Sequence, residues 1–130
     1  MFALDTNTLI YYFKGMGHVA DQLLATPPKD IALPAVVLFE LEVGLAKSKT
    51  PQKRREQMES LVSLIQILPF GIEEAKAAAH IRSELERQGR PIGPFDNLIA
   101  GTALARQATL VTHNTREFEK IKGLQIQDWY

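Results

Sequence analysis

Short apolar runs of three or four residues recur along the 130-residue chain, separated by longer stretches with helical spacing. We predict a short strand at each run and a helix in each longer stretch. Strands that alternate with helices build a parallel or mostly parallel sheet with helices packed against it. The predicted strands are Phe2 to Leu4, Ile31 to Leu33, Gln66 to Pro69, Thr109 to Thr112 and Leu124 to Gln127.

The predicted helices begin or end at capping, glycine or proline residues. Pro34 opens one of them, because proline is favoured at the first helical position. Thr50 and Pro51 cap and begin another. Helices are predicted at Asn7 to Lys14, His18 to Ala25, Pro34 to Ala46, the stretch after Pro51, Ile72 to Gln88, Phe95 to Ala108 and Arg116 to Ile121.

The composition limits the class of protein and the kind of site. A chain of this length with 45% apolar and 23% charged residues predicts one globular domain. Without cysteine, a metal ion must be held by oxygen or imidazole ligands. We expect a cytoplasmic protein with no membrane partner, since no apolar run spans a bilayer and no secretion signal is visible. Basic and acidic residues number 15 each, so composition gives no indication of nucleic-acid binding.

Acidic side chains lie at the predicted strand ends and at the starts of the adjoining helices. Asp5 closes the first strand, and Asp96 lies in the first turn of the helix after Pro94. The stretch from Asn114 to Glu117 follows the strand TLVT, and Glu40 lies about two turns into the helix after the second strand. Ligands of open parallel sheets bind beyond the carboxyl ends of the strands. The sequence therefore predicts that four separated segments meet at one cleft.

Each acid also has a purely structural interpretation. Asp5 or Thr6 can cap the first helix, which does not exclude catalysis. Asp96 gains ~0.3–1 kcal/mol from the dipole of its helix, and Glu117 alone is typical of a solvated charge. Glu40 has apolar helical neighbours, so its carboxylate must be paired, metal-bound or raised in pKa. Glu42 has equally apolar neighbours, and periodicity does not choose between the two.

The combination of acids is more informative than any member. Carboxylates within ~5 Å of one another repel, and some take up protons unless a cation intervenes. Mg²⁺ prefers oxygen ligands and keeps several waters. A cation held in this way activates water and neutralises charge on a phosphoryl group. The pattern therefore favours phosphodiester hydrolysis.

Four sequence blocks, LDTNTLI, FELEVG, RPIGPFDNLIAGTAL and LVTHNTREF, occur in this order and are followed by GLQIQDW. Together they resemble the PIN-domain ribonucleases, and among these the VapC toxins of bacterial VapBC toxin–antitoxin pairs. The resemblance covers nearly the whole chain. It implies a single PIN domain over residues 1–130, folded as a three-layer α/β/α sandwich with a mostly parallel central sheet.

The resemblance also implies roles for individual residues. Asp5, Glu40 and Asp96 are the expected metal ligands, and the match of Glu40-Leu41 and Gly44 to an E-L-x-x-G motif breaks the tie with Glu42. The fourth block places Thr112, Asn114 and Glu117 beside these three acids. Glu117 is the expected fourth catalytic acid, and the resemblance leaves open whether Asn114 or Glu117 reaches the metal. Thr6 and Asn7 are expected to support the first acid by hydrogen bonds.

The implied activity is that of a Mg²⁺- or Mn²⁺-dependent endoribonuclease that cuts single-stranded or loop RNA and inhibits translation. Family members often cut tRNA, some of them initiator tRNA. They usually form homodimers and are silenced by a VapB-type antitoxin in a hetero-oligomer. The basic residues expected to contact RNA, with a solvated mobile loop as the alternative, lie on the connection after the Glu40 helix: Lys47, Lys49, Lys53, Arg54 and Arg55.

Two other functions compete with this one. DTNT approaches the D-x-D-x-T signature of haloacid-dehalogenase-like phosphatases, but Asn7 occupies the place of the second acid and the chain is short for that fold. The second is a catalytically inactive PIN-like binding module, against which the intact set of acids argues.

Overall fold

The computed structural model of the protein describes all residues from 1 to 130 and contains five strands and seven α-helices. The strands are β1 (Phe2–Leu4), β2 (Ile31–Pro34), β3 (Gln66–Leu68), β4 (Thr109–Val111) and β5 (Ile126–Gln127). The helices are α1 (Thr6–Lys14), α2 (Val19–Ala25), α3 (Ala35–Lys47), α4 (Gln52–Val62), α5 (Ile72–Arg87), α6 (Pro94–Ala105) and α7 (Thr115–Phe118). No helix is long and apolar enough to cross a membrane.

The sheet has the strand order β3-β2-β1-β4-β5, and every neighbouring pair is parallel. The predicted parallel α/β architecture is thus confirmed, with β1 at the centre. The central strands β2, β1 and β4 are short and, apart from Thr109, apolar because the sheet is covered on both faces. Ala3, Leu4, Leu33, Leu110 and Val111 are completely buried.

The register of the central strands fixes the edge at which the acids lie. Leu4 is level with Val111, so the residues that follow β1 and β4 leave the sheet side by side. The N–H of Asp5 donates to the carbonyl of Val111 at 3.1 Å. Between β1 and β4 the strand order changes direction, and such a point is where open α/β sheets bind ligands.

The start of α6 is held against α5 by polar and steric contacts. The Asn97 side chain donates to the carbonyl of Ala78 at 2.8 Å, and both groups are buried. A Cβ added to Gly101 would lie 2.6 Å from that of Ala78, so only glycine permits this approach. Arg106 pairs with the buried Glu74 at 3.0 Å. These contacts fix α6 relative to the sheet, and Asp96 with it.

Several predicted boundaries differ from the structure by a few residues. Helix α6 ends at Ala105 rather than Ala108, because Gln107 adopts a left-handed φ of 54° and Ala108 donates back to the carbonyl of Ala103. Helix α4 begins at Gln52, so Lys53, Arg54 and Arg55 belong to a helix. The prediction that the basic cluster lies on a connection was wrong for these three residues and for Lys47, which ends α3. Only Lys49 of the basic cluster lies between the two helices.

Candidate active site

Asp5 is anchored where β1 passes into α1. Its side chain is only 5% exposed, and its Oδ1 accepts the N–H of Thr8 at 2.8 Å as the cap of the helix. Burial raises the pKa of Asp5, and hydrogen bonds from Thr112 and Thr8 lower it in part. The predicted capping role is therefore confirmed, and it leaves a buried carboxylate at the edge of the sheet.

Glu40 is joined to the same edge by Thr6. The Thr6 hydroxyl donates to Glu40 Oε1 at 2.6 Å, across 34 residues of sequence. Glu42, by contrast, is half exposed and pairs with Arg55 at 3.6 Å. The structure therefore brings Glu40, and not Glu42, to the site. Thr6 bonds to this second acid rather than to Asp5, and Asn7 is exposed without a side-chain hydrogen bond.

Asp96 carries the clearest electrostatic signature of the site. Burial, followed by the charges of Asp5, Glu40 and Glu117, raises its pKa to about 6. A carboxyl whose pKa responds to three other carboxylates must lie near all of them. Asp5 at the start of α1 and the acids of α3, α6 and α7 therefore share one region, as the strand-end argument predicts.

The segment after β4 contributes both a positioning group and an acid. Thr112 is fully buried, and its Oγ1 accepts the N–H of Asn114 at 3.0 Å. Asn114 occupies the cap position of α7 and is exposed. Glu117 pairs with Lys120 at 3.2 Å and contributes charge at Asp96. Of the two candidates for this position, Glu117 supplies a carboxylate whose charge raises the pKa of Asp96.

Two contributors were missed from the sequence. Thr8 holds Asp5 through its backbone N–H, and its hydroxyl donates to the carbonyl of Val111 at 3.1 Å. Asp128 follows β5 and adds a further charge that raises the pKa of Asp5. The rule that places acids at the carboxyl ends of strands applies to Asp128 as well, and would have found it. Its carboxylate lies 2.9 Å from Nδ1 of His113.

The donor set suits a hard divalent cation. No salt bridge joins Asp5, Glu40 or Asp96 to a basic group. Among the four acids only Glu117 has a basic partner, which is Lys120. No three side chains are arranged as ligands of one ion. Mg²⁺ commonly uses one or two carboxylates and keeps its waters, which this arrangement allows. Unpaired carboxylates that repel one another are the groups that such a cation stabilises.

A groove leads away from these acids along α1, α3 and α4. It has a volume of about 1070 Å³, and Thr6 and Glu40 line it. Of the five predicted basic residues, Lys49, Lys53 and Arg54 also line it, together with Lys14, which was not predicted. Lys47 and Arg55 are not among the lining residues.

Comparison with known proteins places the chain in a well-populated group. The family model described as PIN domain matches residues 2–124. The "tRNA(fMet)-specific endonuclease VapC" of Shigella flexneri is 40% identical over 128 residues, which cover 98% of this chain and 97% of that protein. The protein of the same name from Salmonella typhimurium is 36% identical over the same shares.

Solved structures agree with the sequence comparison. The VapBC2 complex of Rickettsia felis, bound to a DNA fragment from its promoter, superimposes with a TM-score of 0.92 at 33% identity. The DNA-bound VapBC of Salmonella typhimurium superimposes with a TM-score of 0.92 at 36% identity. Both alignments cover 99% of this chain and 98% of the other.

Proposed function

Because the chain belongs to the PIN-domain family, and within it to the VapC ribonucleases, we propose that it is a metal-dependent endoribonuclease and the toxin of a type II toxin–antitoxin pair. We propose that residues 1–130 form a single PIN domain. The observation that carries the proposal is the raised pKa of Asp96, since three other carboxylates at the carboxyl edge of the sheet cause part of it. A site that gathers four carboxylates, of which only Glu117 has a basic partner, needs a cation to bind a phosphodiester.

The chain's own residues prepare this site. We propose that Asp5, Glu40 and Asp96 would hold Mg²⁺ or Mn²⁺ partly through the waters that the ion keeps, since no three side chains are arranged as direct ligands, and that Glu117 is the fourth catalytic acid. When bound, such a cation supplies an activated water and offsets charge on the phosphoryl group. Thr6 fixes the orientation of Glu40, and Thr8 and Thr112 fix that of Asp5. The bond from Thr6 occupies only Oε1 of Glu40, so Oε2 stays available to a ligand.

We propose tRNA as the substrate, cut in a single-stranded or loop region so that translation stops. Two relatives that align over nearly their whole length are named as tRNA(fMet)-specific, which supports initiator tRNA as the first target to test. We propose that the enzyme acts in the cytoplasm, where this substrate is found.

We propose a VapB-type antitoxin as the protein partner, because the similar solved structures are VapBC complexes. We expect a homodimer of the toxin within a toxin–antitoxin hetero-oligomer. Of the competing functions, the phosphatase is disfavoured because Asn7 lies exposed where a general acid is required. Trapping of a phosphoenzyme on Asp5 would reverse that choice.

Glu40 and Glu42 offer a matched test of the activity. Replacement Glu40→Gln is expected to reduce cleavage of tRNA by on the order of 10²–10³-fold in the presence of Mg²⁺ or Mn²⁺, because it removes an acid of the site. Glu42→Gln, two residues away on the same helix and paired with Arg55, is expected to retain nearly full activity. Gel analysis of end-labelled tRNA measures both. Equal activity of the two variants would contradict the assignment of Glu40, and no cleavage by the wild type with any divalent cation would contradict the function.

A further inference from the structure

The basic groove beside the acids contains cations with no acidic partner. Lys14, Lys49, Lys53 and Arg54 line it, and none of the four forms a salt bridge. Unpaired cations in a concave surface concentrate positive potential there. Elsewhere Arg55, Arg82 and Arg87 are paired with glutamates, whereas these four unpaired cations line one concave surface.

One of these cations is held in place by an aromatic ring. The guanidinium carbon of Arg54 lies 4.7 Å from the centre of the Phe13 ring, a distance typical of a cation–π contact. Phe13 belongs to α1 and Arg54 to α4, so the contact joins the two walls of the groove. A side chain fixed in this way loses less conformational entropy when it binds an anion than a mobile lysine does.

The groove also reaches one of the acids, Glu40. Thr6 and Glu40, which are hydrogen-bonded to each other, lie among its lining residues. Its volume of about 1070 Å³ exceeds that of most small-molecule sites, which favours an extended ligand. Gly44 contributes to the lining, and a Cβ added there would meet no atom within 4 Å, so the groove is open at this point.

We propose that this groove holds the RNA strand on one side of the scissile phosphodiester, with successive phosphates on Lys49, Lys53, Arg54 and Lys14. The proposal rests on the proposed nuclease function, because it takes the acids as the point of cleavage. Lys47 and Arg55, which the sequence groups with these cations, are excluded because they do not line the groove. The basic cluster is therefore divided by the fold into a binding part and a solvated part.

Binding to a catalytically inactive protein tests the proposal without cleavage. The probe is a short fluorescein-labelled single-stranded RNA, and the background is Asp96→Asn in the presence of Ca²⁺. The triple variant Lys49→Gln, Lys53→Gln, Arg54→Gln is expected to bind the RNA with an affinity roughly 30-fold or more below that of the parent. The slope of the logarithm of affinity against the logarithm of salt concentration should become shallower by about 0.7 for each lost phosphate contact. The control pair Lys47→Gln, Arg55→Gln is expected to change the affinity by less than about twofold.

A steric variant gives an independent readout. Gly44→Phe is expected to weaken RNA binding by filling the groove, while Gly44→Ala, which meets open space, is expected to bind as the parent does. Equal loss of affinity in the triple variant and the control pair, or no loss in the triple variant, would overturn the proposal. Failure of the wild type to cleave RNA that it binds would instead contradict the nuclease function, and the affinities would still decide the role of the groove.

Discussion

Replacement of Asp96 by asparagine is expected to reduce RNA cleavage by on the order of 10³-fold while the protein remains folded. Asp96 senses the other acids of the site most strongly, and its neutral amide can no longer help to hold a divalent cation. Its backbone position in the first turn of α6 is fixed by the contacts of Asn97 and Gly101 with α5, which the substitution does not touch. Cleavage of labelled tRNA and the circular dichroism spectrum measure the two effects separately.

The same variant is expected to be more stable than the wild type when no metal is present. The folded pKa of about 6 lies above the ordinary value of 3.8, so the folded state binds the proton more tightly than the unfolded state. The stability that protonation gives is full below about pH 4 and is lost as pH rises through about 6. At neutral pH, Asp96→Asn should raise the free energy of unfolding by about 1 kcal/mol, after a discount for solvent screening of the charge. This gain corresponds to a rise of about 4 °C in Tm. A variant less stable than the wild type in chelator would contradict the electrostatic argument.

Replacement of Asp5 is expected to relieve the growth arrest that the protein causes when it is expressed without an antitoxin. Asp5→Asn removes the charge but leaves an oxygen that can accept the N–H of Thr8, so the cap of α1 is kept. Asp5→Ala also loses this cap, at a cost of about 1 kcal/mol. Both variants should grow as the vector control does, and only the alanine should lower Tm appreciably.

The exposed Asp21 of α2 provides the matched control for this experiment. Asp21→Asn is the same chemical change at an exposed residue that lies beside His18 and is not one of the four acids, and it should leave the arrest unchanged. Growth rate after induction, with protein abundance measured in the same cultures, gives the comparison. Arrest by Asp5→Asn as severe as that by the wild type, at equal abundance, would refute the role given to Asp5.

The sequence predicts the sheet and its functional edge well because both depend on local patterns. The strands β1, β2 and β4 are short and mostly apolar, and the polar residue that ends such a run must leave the sheet at its carboxyl edge. Asp5 and Thr112 follow this rule directly, since Leu4 and Val111 are the last residues of their strands and are in register. Asp128 follows the same rule after β5 and could have been found in the same way.

The choice between Glu40 and Glu42 illustrates what a local pattern cannot decide. Both lie on α3 among apolar neighbours, and their surroundings depend on α1 and α4. Thr6, 34 residues away, binds Glu40, and Arg55 of α4 neutralises Glu42. Only packing reveals these contacts, whereas the family motif reached the same answer by analogy. The same holds for the basic residues, whose surroundings the local sequence does not predict. In the structure Lys14 lines the groove, whereas Arg55 pairs with Glu42 and does not line it.

The central claim is that separated acids meet to bind one divalent cation, and calorimetric titration with Mn²⁺ tests it most directly. We predict that the wild type and Glu42→Gln bind Mn²⁺ at neutral pH, and that Asp5→Asn and Asp96→Asn bind it far more weakly. Binding to the wild type should weaken as pH falls through about 6, because Asp96 takes up its proton there. Equal Mn²⁺ affinity in the wild type and both aspartate variants would contradict the claim.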